Sequence, residues 1–204
     1  MPESADMSTP TLRLARSDDA DQIAGIYEPL VRETAVTFEV DVPSVREMRT
    51  RITDTAFRLP WLVAEHDDRV HGFAYAGRHR RRAGYAWSAD VSIYVADDTR
   101  RLGIGRGLYT ALLDLLAAQG YANVFAGIAL PNDASIALHK GFGFALVGVY
   151  RSVGFKLGSW WDVSWWQRRL PVVEVTPPPP RALVEIDTTA LDRALAAGSV
   201  HLAR

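Results

Sequence analysis

The sequence predicts one α/β domain built on a single mixed sheet flanked by helices. Three observations lead there. Apolar residues recur at a period of two in some segments and at helical spacing in others, with short polar or glycine turns between. The order runs strand, two helices, a hairpin, then strand–helix, strand–helix and closing strands, so hairpins and crossovers mix. The length of 204 residues suits one domain, and 48% hydrophobic against 23% charged residues is enough to bury a core.

Residues 1–10 read as a disordered, polar lead, without the basic and apolar regions of a signal peptide. Leu12 and Leu14 alternate with Arg13, a first strand. Ser17 is a candidate N-cap for a helix carrying Ile23, Ile26, Tyr27 and Leu30. A second helix covers residues 44–55, with Val45, Met48 and Ile52 on one face. Residues 61–64 and 70–75 form a hairpin around the polar turn 66–69. A basic loop, 78–82, leads to a long strand over 85–95. A glycine-rich turn follows, then a helix over 105–119 that Gly120 ends. Residues 124–129 are a buried strand. Pro131-Asn132 breaks it and starts a helix through His139, closed by Gly141. Residues 144–149 and 162–168 are the last strands. Pro177 to Pro180 form a semi-rigid spacer, and one more helix is expected over 188–197. The layout is thus a lead, 1–10, a domain, 11–170, and a proline-rich spacer with an extension, 171–204.

Composition excludes several classes. The formal net charge of −1 opposes bulk binding to nucleic acid or an anionic membrane. The chain has no cysteine, so disulfides, thiolate metal sites and a cysteine nucleophile are out. No metal is expected. No apolar run approaches the roughly 20 residues of a membrane span. A cytoplasmic enzyme is the expectation.

The most informative stretch is residues 100–107, Arg-Arg-Leu-Gly-Ile-Gly-Arg-Gly, at a strand–turn–helix junction. The first turn of a helix offers free N–H groups and the positive dipole end. Glycines let a phosphate approach the backbone, and arginines add charge. A pyrophosphate suits the place; a turn that merely starts a helix is the plain alternative. A Walker loop is excluded, because Leu108-Tyr109 follows Gly107 where Lys-Ser/Thr is needed. The dinucleotide fingerprint also fails, because Leu108 stands where its third glycine belongs.

The spacing Arg100-x-x-Gly103-x-Gly105 resembles the pyrophosphate loop of the GNAT superfamily of N-acetyltransferases. Tyr94-Val95, Leu130-Pro131-Asn132-Asp133-x-Ser135 and Leu138-His139-x-x-x-Gly143-Phe144 fall in family order. More narrowly, the chain is similar to the phosphinothricin and methionine sulfoximine acetyltransferase branch. Pro60-Trp61-Leu62-Val63-Ala64-Glu65, Tyr75-Ala76-Gly77, Leu108-Tyr109-Thr110, Ala118-Gln119-Gly120, Gly154-Phe155-Lys156 and Trp160-x-Asp162-Val163 carry that likeness. It covers residues 12–170.

The resemblance implies a largely antiparallel sheet with a central splayed parallel strand pair. It implies acetyl-CoA as co-substrate, and direct acetyl transfer to the primary amine of a small amino-acid-like molecule of the phosphinothricin, methionine sulfoximine or sulfone type. A homodimer is implied as well. Backbone groups of Ile93, Tyr94 and Val95 would bind the pantetheine arm. Arg100, Arg101, Leu102, Gly103, Ile104, Gly105 and Arg106 would hold the pyrophosphate. Asn132 and Ser135 fall beside the cofactor arm, although Asn132 serves equally as a helix start signal.

Acetyl transfer needs a neutral amine, a stabilised oxyanion and a protonated leaving thiolate. Asp90 stands where the branch has a glutamate and is the candidate base. It is one methylene shorter, which favours a water relay or a role in orienting the ammonium. A solvated strand carboxylate is the bland alternative. His139 matches a histidine of the branch and is suited to accept the amine proton or donate to the thiolate. Ser135, one helical turn earlier, is placed to orient it; a structural histidine is the alternative. Arg80 and Arg82 suit a substrate carboxylate, or form a solvated loop. Phe38, Tyr85, Trp87 and Trp160 match pocket aromatics, with Val91 and Ser92 beside Asp90; each aromatic is as easily core. Ala86 stands where an aspartate is common, Leu157 and Trp161 replace histidines, and Lys140-Gly141 replaces Glu-Ala. These departures leave acetyl transfer intact and set phosphinothricin itself apart. Acetylation of a peptide amine, or acyl-CoA sensing without turnover, are the competing functions. Trp160, Trp161, Trp165 and Trp166 are a candidate contact surface between copies, or core.

Overall fold

The computed structural model describes residues 10–99, 102–171 and 176–202. The expected disordered lead lies outside these residues except for Pro10, as do Arg100 and Arg101.

Seven strands form one sheet: β1 (Thr11–Leu14), β2 (Trp61–His66), β3 (Arg69–Arg78), β4 (Ser88–Val95), β5 (Asn123–Ala129), β6 (Ala145–Lys156) and β7 (Ser159–Arg169). The spatial order is β1-β2-β3-β4-β5-β7-β6. The β4–β5 pair is parallel and every other neighbouring pair is antiparallel. This is the mixed, largely antiparallel sheet that the sequence implies.

Helices α1 (Ala20–Glu33) and α2 (Val45–Ala56) cover one face. Ile23, Tyr27, Met48 and Ile52 pack there on Trp61, Val63 and Phe73. Helix α3 (Ile104–Gln119) covers the other, with Leu108, Leu112 and Leu115 on Leu62, Ala74, Val91 and Val124. The alternation Leu62/Val63 and Phe73/Ala74 sends neighbouring side chains into opposite cores, as a pleated strand must. Helix α4 (Asp133–Gly141) follows β5, and α5 (Thr188–Ser199) lies against α3. Among the described residues no helix is long and apolar enough to cross a membrane.

Several boundaries differ from expectation, each for a local reason. Helix α1 begins at Ala20 after a 3-10 turn, Ser17–Asp19, and Asp19 rather than Ser17 sits at its cap position. The Asp19 carboxylate accepts the Arg16 backbone N–H at 2.6 Å and both terminal nitrogens of Arg13 at 2.7 Å. Ser44 caps α2 as expected, in a reciprocal box with Glu47. Strand β4 starts at Ser88, not at residue 85, because Ala83–Tyr85 form a 3-10 turn. Its pairing with β3 ends at Arg78–Ala89, so earlier residues have no strand beside them on that side. Strand β6 runs on to Lys156 because it pairs with β7 as far as the turn at Leu157-Gly158.

The extension docks on its own domain. Trp87 Nε1 donates to the Pro178 carbonyl at 2.8 Å. The Gln119 amide donates to the carbonyls of Arg58 and Arg181 at 2.7 and 2.8 Å. Helix α5 then returns along α3, and Leu183, Ala194 and Leu202 join the larger core. Two glycines let the helices touch: a Cβ on Gly198 would lie 2.5 Å from the Gly107 carbonyl oxygen and 2.5 Å from Leu12 Cδ1. Gly198→Val should therefore cost about 1–3 kcal/mol of stability in urea unfolding. Exposed Gly25, in α1, has nothing within 4 Å of its would-be Cβ; Gly25→Ala should add about 0.4–1 kcal/mol. Equal midpoints for the two variants would contradict the close helix contact.

Candidate active site

The parallel pair opens like a fork. Strands β4 and β5 are in register at Ser88–Asn123, Ala89–Val124 and Asp90–Phe125, and there the ladder stops. Beyond it, a cleft lies between Val91, Ser92, Ile93 and Tyr94 on one side and residues 126–129 on the other. Backbone groups along the facing edges have no strand to bond, and buried backbone groups demand partners. An extended amide-bearing chain meets that demand, and pantetheine is such a chain. Asn132, Ser135 and His139 complete the cleft wall.

Helix α3 starts beside the fork. Gly103 is its N-cap, in the left-handed region at φ 77°. The first intrahelical bond of the turn runs from the Gly107 N–H to the Gly103 carbonyl at 2.8 Å. The N–H groups of Ile104, Gly105 and Arg106 precede it and remain free for an anion. Ile104 is buried in the core, while Leu102 and Arg106 are exposed. A Cβ on Gly103 would lie 1.7 Å from the His201 carbonyl oxygen. That glycine is thus required by the extension as well as by the turn. Gly105 has only ordinary contacts, to Val95 at 3.7 Å and Ile93 at 3.8 Å.

Asp90 occupies the crotch of the fork. Ala89, Val91, Ile93 and Val95 face α3, whereas Tyr94 packs under α1. Strand alternation puts Ser88, Asp90 and Ser92 on the Tyr94 face. Its Oδ1 lies 2.6 Å from His79 Nδ1. Burial raises the Asp90 pKa above the usual carboxylate range, and His79 and Arg80 pull it back. The sequence reading treated His79 as part of a basic loop; nothing in the local pattern pointed to this pairing.

His139 is buried, and both ring nitrogens are engaged. Nδ1 lies 2.7 Å from the Ser135 carbonyl oxygen, so it carries the proton and donates. Nε2 then accepts the Tyr109 hydroxyl at 2.8 Å. Ser135 orients the ring through its carbonyl; its hydroxyl is 3.4 Å away. Burial lowers the His139 pKa and raises that of Tyr109. Tyr109 lines the cleft beside His139; in the sequence it stands only within the Leu108-Tyr109-Thr110 signature, with no role of its own. Asn132 caps α4, its side-chain oxygen accepting the Ser135 N–H at 3.0 Å, and also lines the cleft.

The expected substrate residues do not converge on one cavity. Val91 and Ser92 line the cleft. Arg80, Arg82 and Tyr85 are exposed in and after the loop that follows β3. Trp87 holds the extension. Phe38 lies against β6, where a Cβ on Gly154 would be 2.2 Å from its ring. Trp160 is 64% exposed at the β6–β7 hairpin. A cavity of about 580 Å³ lies elsewhere, between α2 and the β3–β4 face. Trp61 and Tyr75, stacked at 4.3 Å, line it with Arg51, Arg58, Arg78, Ser88 and Tyr121. Sequence reasoning missed it because α2 and β3 come together only in the fold.

Residues 12–165 match the acetyltransferase (GNAT) domain family. The chain is 37% identical over 170 residues to a phosphinothricin N-acetyltransferase of Streptomyces viridochromogenes, covering 83% of this chain and 91% of that one. It is 32% identical to an L-methionine sulfoximine/L-methionine sulfone acetyltransferase of Salmonella typhimurium, covering 78% and 94%. A solved GNAT superfamily phosphinothricin acetyltransferase from Sinorhizobium meliloti, in complex with AcCoA, superposes with a TM-score of 0.80 at 33% identity, covering 88% and 98%. A family match over nearly the whole sheet, joined to a shared fold with a forked strand pair, leaves one conclusion: the chain belongs to the GNAT family of acetyltransferases.

Proposed function

We propose that this chain transfers the acetyl group of acetyl-CoA to the primary amine of a small amino-acid-like substrate. The position of Asp90 carries the reading. It lies on one strand face between Ser92, which lines the forked cleft, and Ser88, which lines the large cavity. Each neighbour is two residues away, about 7 Å along a strand. A carboxylate there stands between the residue that lines the cleft and the one that lines the cavity. The cavity pairs aromatic walls with Arg51, Arg58 and Arg78, of which Arg51 is held by Glu39 at 2.7 and 2.9 Å. That combination suits an amino acid or a phosphinate or sulfoximine analogue of one. The named substrates of the relatives, phosphinothricin and methionine sulfoximine, belong to that class. Arg80 and Arg82 remain as exposed cations in the loop after β3.

In this reading Asp90 draws the substrate ammonium and stabilises the charge that leaves with its proton. The free N–H groups at the start of α3 and the unpaired edges of β4 and β5 hold the cofactor. Tyr109 and His139 form the hydrogen-bonded pair available to the leaving thiolate. Use of acetyl-CoA, a metabolite made inside cells, supports a cytoplasmic place.

A homodimer is part of the proposal. Edge strand β6 and its hairpin expose Leu146, Val147, Tyr150, Phe155 and Trp160. An apolar edge of this kind is an interface or an aggregation hazard. Of the four tryptophans read as a contact surface, only Trp160 is exposed, and Trp166 is core. Sedimentation should give two copies for the native chain and one for a Val147→Lys/Phe155→Glu double variant; a native monomer would remove the dimer.

Acetyl-CoA-dependent thiol release should occur with phosphinothricin, methionine sulfoximine or sulfone in a panel that also holds ordinary amino acids, a polyamine and a peptide. Asp90→Ala should lower kcat by about 100-fold or more at unchanged acetyl-CoA affinity. Gly105→Leu, chosen because Gly103 also touches the extension, should weaken acetyl-CoA binding at least about tenfold. A peptide as the sole acceptor would overturn the substrate class, and unchanged affinity in Gly105→Leu the phosphate site.

His139 gives a stability test. Its folded pKa lies below its unfolded value, because burial favours the neutral ring. The unfolded chain therefore binds the proton more readily. This contribution is complete above about pH 6.5 and is lost as the pH falls through the folded value. Urea unfolding should show the native chain losing stability on acidification relative to His139→Gln. Parallel curves would mean that the ring is not held neutral.

A further inference from the structure

His79 has no place in the chemistry described so far, and its surroundings are built with care. It follows the last residue of β3. Its ring stacks on Phe125 at 4.3 Å with 14° between planes, and meets the edge of Tyr85 at 5.9 Å. Phe125 is the β5 residue opposite Asp90, at the last rung of the β4–β5 ladder. The side chain is 11% exposed, against 35% for Asp90. A carboxylate facing Nδ1 selects the tautomer with the proton on that nitrogen. Nε2 then holds a free lone pair, and no hydrogen bond engages it among the described residues. His139 differs in this respect, since both of its nitrogens are taken.

We propose that His79 is the general base of the acetyl transfer and that Asp90 positions it. This rests on the reading of Asp90 as the junction of cofactor cleft and acceptor cavity. One ammonium N–H bond breaks, and the proton passes to Nε2. The freed electron pair attacks the thioester carbonyl carbon, forming the C–N bond; as the C–S bond breaks, the nitrogen gives up its second proton to the departing thiolate, leaving the amide and the free thiol of CoA. Asp90 stabilises the imidazolium, which returns its proton to water. The arrangement accounts for an aspartate where a longer carboxylate is usual in the branch: the imidazole supplies the missing reach. Asp90 on β4, Tyr85 in the 3-10 turn and the adjacent Arg80 are the titratable and charged groups facing the ring. The Arg78 guanidinium turns away, onto the carbonyls of Arg80 and Arg81.

The test is steady-state kinetics on the amine panel across pH 5.5–9, for the native chain, His79→Gln and His79→Ala. His79→Gln should lose about 100-fold or more in kcat at unchanged acetyl-CoA affinity and melting temperature. The acidic limb of its kcat/KM profile should vanish. Added imidazole should restore part of the rate to His79→Ala. A merely structural ring would give neither the lost limb nor the rescue. An active native chain with His79→Gln inside twofold of it, limb intact, overturns the role of His79 alone. A native chain silent on every amine overturns the acceptor reading and this role together.

Discussion

Seven cross-strand pairs tie β4 to β3 and seven tie β5 to β7, but three tie β4 to β5. Each strand of the central pair is thus anchored on its outer side and released on its inner side past Asp90–Phe125. The release exposes two rows of backbone donors and acceptors inside the protein. Such groups are costly to leave unpaired. An extended molecule with its own amides is the kind of ligand proposed to replace the missing strand pairing. The same fork places Asp90 at the last rung of the β4–β5 ladder, opposite Phe125, where the two strands part.

Helix α3 carries the second half of the binding problem. Its N-terminus is left with free N–H groups while its body is buried. Glycines at 103, 105 and 107 meet three different demands: a left-handed cap, ordinary contact with β4, and close approach of α5. The extension is therefore no loose tail. It is pinned at the C-terminal end of α3 by Gln119 and at its start by His201 and Leu202. Movement of α5 would be felt directly at the glycine turn before α3.

Electrostatics separate the two histidines. His139 is sealed between Ser135, Tyr109 and Phe144, and burial keeps it neutral. His79 faces a carboxylate instead, and that carboxylate resists deprotonation because it is itself desolvated. Burial and hydrogen bonding thus give one residue type two different environments within one site.

Much of the fold was legible because its signals are local. The Ser44–Glu47 box, the left-handed Gly120 and the helical spacing of Met48 and Ile52 act within a few residues, where periodicity reports them. The glycine turn before α3 was legible too, and the resemblance to the GNAT branch singled out Asp90 and His139 as candidates. Other features were not. Residues 85–87 read as strand, but β3 ends its pairing at Arg78–Ala89 and Ala83–Tyr85 close into a 3-10 turn. Ser17 read as a cap, but Arg13 reaches Asp19 first. By itself, then, the sequence determined the elements, the forked architecture and the class of chemistry. Tertiary structure alone decided that His79 meets Asp90 across 11 residues, that Tyr109 meets His139 across 30, and that Trp87 meets Pro178 across 91. No local period encodes such contacts; they exist because the sheet brings distant strands within hydrogen-bond reach.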